Sequence, residues 1–115
     1  MLAKKYRFHS RGGVRYTYRH GTTIRHPKIS LTFANNARSK QRFAVVVSKK
    51  VTKSAVARNR IRRRIFEIIR TELPNFQAPI DHIFTVYTKE IKDIDSTELR
   101  ALIRDLLGQA KTNNK

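Results

Sequence analysis

A chain of 115 residues has room for one domain that buries about two-thirds of the surface its unfolded form exposes. With 26 Lys+Arg against 8 Asp+Glu the formal charge is +18, yet 39% of the residues are hydrophobic, so the chain is a folded basic protein whose expected partner is a polyanion. The absence of cysteine excludes disulfide scaffolds, thiolate zinc sites and cysteine nucleophiles, and no run of 18 apolar residues or apolar signal core is present. A cytoplasmic protein without membrane attachment is the expectation. The charge is also segregated: residues 1–66 hold 19 Lys+Arg and no acid, whereas residues 67–115 hold 7 basic and 8 acidic residues. A solvated surface ordinarily mixes both signs, so so long a stretch without a carboxylate calls for an external anion.

In chain order, the i, i+4 pair Val14 and Tyr18 predicts a short first helix ending near Gly21. A short strand is predicted over Thr22 to Arg25. Ile29, Leu31 and Phe33 alternate with Ser30, Thr32 and Ala34 in a half-buried strand that Asn35 and Asn36 turn. Phe43, Val45 and Val47 alternate with Ala44, Val46 and Ser48, and the two strands read as a hairpin. From Ser54 the period becomes helical: Ala57, Ile61, Ile65, Ile68 and Ile69 form one stripe that Pro74 stops after Leu73. A strand with apolar residues on both sides follows over Ile80 to Thr88. The last helix starts at an Asp95 or Ser96 cap, carries Leu99, Leu102, Ile103, Leu106 and Leu107 on one face, and is expected to end before Gly108, leaving a frayed tail over 108–115. The fold class is α+β, a two-layer sandwich of approximate order αβββαβα forming a single domain over 1–115.

Lys49, Lys50, Lys53, Arg58, Arg60, Arg62, Arg63 and Arg64 put eight cations into sixteen residues across a strand end and the first half of the long helix. At 100° per residue, Asn59, Arg60 and Arg63 project away from the Ile61 stripe, Arg64 lies at its edge, and Arg58 and Arg62 flank its other side. Arginine suits a phosphate backbone because its planar fork donates two hydrogen bonds and stays charged; asparagine both donates and accepts at a base edge or ribose hydroxyl. Arg63 can alternatively pair with Glu67 at i+4.

Val47-Ser48-Lys49-Lys50, then Lys53, Ala55-Val56 and Arg58-Asn59-Arg60-Ile61-Arg62-Arg63, resemble the signature of the bacterial ribonuclease P protein subunit, and the order of elements is similar over nearly the whole chain. The resemblance implies a protein that binds a large catalytic RNA, the pair hydrolysing precursor transfer RNA to create its mature 5′ end, with Mg²⁺ held mainly by the RNA and one protein per RNA. It implies a left-handed βαβ crossover of the kind found in some ribosomal-protein-like domains, whereas parallel crossovers in general are right-handed. It places Lys49, Lys50, Lys53, Arg58, Asn59, Arg60, Arg62 and Arg63 against the RNA subunit. It also places Val14 and Tyr18, with Thr32, Ala44 and Val46, along a cleft for the single-stranded 5′ leader. Tyr18 can equally be a core residue. The sequence departs from the family in having Val14 where an aromatic is usual, the Gly12-Gly13 pair in a helix, and one extra residue around Thr52-Lys53-Ser54.

No catalytic group is expected in the protein itself. Asp93, Asp95 and Glu98 are its one tight acidic group, and their position before a helix fits capping better than metal binding. His9, His20, His26 and His82 lack a metal-ligand spacing. The competing readings are a structural ribosomal protein and an independent metal-dependent endonuclease.

Overall fold

The computed structural model describes residues 6–8, 11–36, 41–72 and 79–113. His9 and the predicted stop at Leu73 and Pro74 lie outside them. The elements are α1 (Arg11–His20), β1 (Thr22–Ile24), β2 (Ile29–Asn35), β3 (Arg42–Val47), α2 (Ala55–Glu72), β4 (Ile80–Val86), a 3₁₀ turn (Lys89–Lys92) and α3 (Ser96–Asn113). This is the predicted αβββαβα order.

The four strands form one sheet in the order β1-β2-β4-β3, with β4 antiparallel to β2 and parallel to β3. The predicted hairpin is therefore incorrect: β2 and β3 are separated by β4. Alternation along β4 explains why. Ile80, His82, Phe84 and Val86 are buried on one face and Asp81 and Ile83 on the other, so β4 needs cover on both faces and takes an interior position. β3, α2 and β4 form a βαβ unit, since parallel neighbours need a crossover that a tight turn cannot supply.

The register puts Ile29, Leu31 and Phe33, then Phe84 and Val86, then Phe43, Val45 and Val47 on one face of the sheet. Ile61, Ile65, Ile68 and Ile69 of α2 and Leu99, Ile103, Leu106 and Leu107 of α3 complete that core. On the opposite face Phe8, Ala44 and Ile83 form a second, smaller cluster against which Val14 of α1 packs. The chain reverses out of α1 at Gly21, whose N–H bonds Thr17 O at 2.8 Å. A Cβ there would stand 2.5 Å from Thr17 O and 2.6 Å from Phe33 O, so only glycine lets α1 sit this close to β2.

Asp95 caps α3, its carboxylate accepting from Thr97 N at 3.0 Å. The expected helix end before Gly108 is corrected by a helix that runs on to Asn113. Ala110 is buried against the core and Thr112 Oγ1 bonds Gly108 O at 3.0 Å, and burial outweighs the roughly 1 kcal/mol helix cost of glycine.

Candidate nucleic-acid interface

β3 is an edge strand, and the segment 6–8 runs beside its start, Phe8 N bonding Phe43 O at 3.0 Å. Beyond that point no described segment pairs with the edge. A cleft of about 1030 Å³ extends around it from α1 to α2, lined by Val14, Arg15 and Tyr18, by Ala44, Val45 and Val46, and by Asn59, Arg62, Arg63 and Phe66, with Arg7 and Phe8 at its end. Two groups of residues that the sequence reading kept apart, the leader positions and the Arg-Asn-Arg helix, thus share one cavity. Its floor is apolar and its α2 wall is cationic.

The cationic wall is ordered by local hydrogen bonding. Ser54 Oγ accepts from Ala57 N at 3.1 Å and starts α2. Arg58 Nη1 turns back to donate to Thr52 O at 3.0 Å and Lys53 O at 3.1 Å, which holds the Thr52–Lys53 segment before the helix in place. Arg62 Nη2 donates to Asn59 Oδ1. Burial, and then the neighbouring Arg58 charge, lower the Arg62 pKa, as happens when cations are brought together without an anion. Lys49 and Lys50 occupy the turn after β3, closed by Val51 N to Ser48 O at 3.1 Å, and with Lys53 they are exposed. Arg60 is exposed and reaches Lys92 O with Nε at 3.4 Å.

Arg63 makes no ion pair among the described residues, because Glu67 is engaged by Arg70 instead. Arg64, at the edge of the stripe, is structural: Nη1 and Nη2 donate to Ile91 O and Ile94 O, both at 2.6 Å, tying the 3₁₀ turn to α2.

Of the predicted leader residues, Val14, Tyr18, Ala44 and Val46 line the cleft. Tyr18 is 43% exposed, with its hydroxyl 2.6 Å from Thr85 Oγ1, so it is a cleft wall and not core. Burial raises the Tyr18 phenol pKa, and the Thr85 bond opposes that rise. Thr32 does not join the group. It is 2% exposed and its hydroxyl is 2.9 Å from Thr23 Oγ1, on the β1 side of the sheet. The cleft residues that sequence reading missed are Arg7, Phe8, Arg15, Val45 and Phe66. Arg15 follows Val14 on the cleft-facing side of α1 and was legible, whereas Phe8 sits in a segment with no period to place it.

The carboxylates lie elsewhere. Asp81 receives Arg42 Nε at 2.8 Å and Nη2 at 2.6 Å, and Glu72 is buried beside Arg104 and Arg100 at 3.4 and 3.8 Å. Lys28 stands 3.6 Å from both Glu90 and Glu98. Among the described residues no group of three or more His, Cys, Asp or Glu is placed to hold a metal ion. No described helix is long and apolar enough to cross a membrane.

Comparison with known proteins agrees with this geometry. The family model for ribonuclease P matches residues 2–111. The ribonuclease P protein component of Chloroflexus aurantiacus is 38% identical over 109 residues, covering 95% of this chain and 80% of the relative, and that of Roseiflexus castenholzii is 30% identical with coverages of 95% and 88%. The solved RNase P protein of Staphylococcus aureus superposes with a TM-score of 0.81 at 25% identity over 95% of this chain and 98% of its own. The Thermotoga maritima RNase P protein shares the fold at a TM-score of 0.80 and 22% identity, covering 90% and 96%. An Arg-Asn-Arg helix beside an edge strand, and a family match spanning nearly every residue, establish that the chain belongs to the ribonuclease P protein family.

Proposed function

We propose that this ribonuclease P protein uses the exposed side of α2 to hold the catalytic RNA and the cleft beside it to hold the 5′ leader of precursor transfer RNA during removal of that leader. The carrying observation is the shared cavity: Asn59, Arg62 and Arg63 face the same space as Tyr18 and the apolar floor of Ala44 and Val46. A single strand is bound in this way, with phosphates along a cationic wall and bases on aromatic or apolar surface. Lys49, Lys50, Lys53, Arg58 and Arg60 extend the positive surface toward the RNA subunit. Arg58 supports it indirectly, by fixing the Thr52–Lys53 loop.

The chemistry is assigned to the RNA, with Mg²⁺ held there. The support is that every tight acidic group has other work: Asp95 caps α3, Glu98 meets Lys28 and Asp93 lies 3.7 Å from Lys92. We place the complex in the cytoplasm, with one protein per RNA.

The deciding experiment compares the protein reconstituted with its cognate RNA for affinity toward precursor and mature transfer RNA. Tyr18→Ala is expected to weaken precursor binding by about 1 to 3 kcal/mol and leave mature transfer RNA unchanged, since only the leader offers unpaired bases. Equal losses for both ligands, in a folded variant, would remove the leader from this cleft.

A further inference from the structure

Tyr87 follows β4 and is 50% exposed. Strand alternation puts it on the same face as Thr85 and Ile83, the face that carries α1 and the cleft. Its hydroxyl is 2.7 Å from Ser30 Oγ and its N–H bonds Lys28 O at 2.9 Å, so both ends of the residue are fixed while half of its surface stays open. Tyr18 is held in a matching way, with its hydroxyl on Thr85. Ser30 and Thr85 are direct cross-strand partners in the β2–β4 register. The two phenols are therefore anchored to side chains whose Cβ atoms are roughly 5 Å apart. The proximity of the Tyr87 phenol also adds to the rise in the Tyr18 pKa.

The surroundings suit a nucleic acid. β3 and β4 are parallel, with Val47 opposite Val86, so the Lys49-Lys50 turn leaves the sheet at the same end as Tyr87. Both lysines lack a carboxylate partner among the described residues. Aromatic rings beside unpaired cations are the elements of a single-strand platform.

We propose that Tyr87 is a second stacking ring for the single-stranded RNA, taking a nucleotide adjacent to the one on Tyr18 and extending the binding path beyond the cleft to the C-terminal ends of β3 and β4. This rests on the reading that the leader occupies the cleft. The narrower alternative is that Tyr87 serves only to satisfy the buried Ser30 hydroxyl. The two differ in what the ring does when RNA is present. A purely structural tyrosine affects all RNA ligands equally, whereas a stacking ring affects only leaders long enough to reach it.

The test uses the full chain reconstituted with its cognate RNA and precursors whose 5′ leaders shorten one nucleotide at a time. Tyr87→Ala is expected to weaken binding roughly five- to hundredfold for long leaders, and the effect should vanish at a leader length within one or two nucleotides of that at which the Tyr18→Ala effect vanishes. Tyr87→Phe keeps the ring and should retain leader-length dependence close to that of the original protein, even though Ser30 loses its partner. Tyr87→Leu preserves bulk without a π face and replaces the alanine variant should that variant unfold. A loss that is absent or independent of leader length in the Tyr87 variants, with Tyr18→Ala still length-dependent, overturns this inference alone. If Tyr18→Ala is also length-independent, the leader reading itself fails and takes the inference with it.

Discussion

His82 shows how one residue type reads differently before and after burial. In the sequence it is one of four histidines without ligand spacing; in the fold it is 3% exposed, stacked on Phe43 at 4.5 Å, with Nδ1 3.3 Å from Arg42 O. Desolvation pushes its pKa down to about 4, with the Arg42 carbonyl and Asp81 opposing that shift only in part. The folded pKa lies below the unfolded value of about 6.5, so the unfolded chain takes up a proton first. Stability is therefore full above about pH 6.5, falls as the pH drops toward 4 and levels off below it, a loss of roughly 3 kcal/mol. Urea unfolding at intervals between pH 7 and 4 should show this decline in the original protein and a flatter profile in His82→Phe; parallel profiles would mean that His82 is not the group responsible. Gly21 is a second case in which one atom decides. Gly21→Ala places a methyl against two backbone oxygens that cannot move independently, and a loss of about 1 to 3 kcal/mol in thermal or urea unfolding is expected. Nothing in the sequence around His20-Gly21-Thr22 distinguishes such a close approach from an ordinary helix stop.

At the scale of the element, α2 holds one arginine committed to the fold, Arg64, and one without an ion pair among the described residues, Arg63, and the division was partly legible. Angular position alone separated Arg63, far from the Ile61 stripe, from Arg64 at its edge, because a helix fixes direction at 100° per residue. What that geometry could not supply was the partner. Arg64 is committed to Ile91 O and Ile94 O in a segment 27 to 30 residues away, and Glu67 chooses Arg70 over Arg63. Arg64→Ala should therefore lower unfolding stability by roughly 1.5 to 3 kcal/mol through lost charge-assisted hydrogen bonds. Arg63→Ala should leave stability nearly unchanged and weaken binding to the RNA subunit by a similar amount, reducing the slope of log affinity against log salt by up to about one unit. Titrations of both variants at two or more salt concentrations, paired with melts, check the division. The reverse pattern would reassign the helix faces. The end of α3 was less legible for a related reason: Gly108 is a strong local stop signal, but the burial of Ala110 is a tertiary contact that local sequence does not record.

The same contrast holds for the whole molecule. Element identities and order followed from periodicity, while strand order did not, because the hairpin rule weighs only neighbours in sequence and β4 arrives from beyond α2. The sign that was present, apolar residues on both sides of β4, marks an interior strand without saying which strands flank it. Charge segregation was legible and has a structural counterpart. Asp81, Glu67, Glu72, Glu90 and Glu98 are each engaged by basic side chains and Asp95 by a helix end, so these acids are used within the fold while Lys49, Lys50 and Arg63 make no ion pair among the described residues.

That distribution leads to a prediction about where the chemistry resides. A protein nuclease needs carboxylates converging on a metal or a nucleophile beside its base, and the tightest acidic group, Asp93, Asp95 and Glu98, is dispersed among a lysine neighbour, a helix cap and Lys28. The protein freed of nucleic acid should therefore leave precursor transfer RNA intact in Mg²⁺, and addition of the cognate RNA should produce the mature 5′ end. The triple variant Asp93→Asn, Asp95→Asn, Glu98→Gln should retain cleavage in the reconstituted complex. Asparagine still caps a helix, so the stability change should come mainly from the lost Lys28 pairing and from weaker interaction with the α3 dipole, within about 1 kcal/mol. Cleavage by the bare protein that disappears in the triple variant would transfer the chemistry from the RNA to these carboxylates.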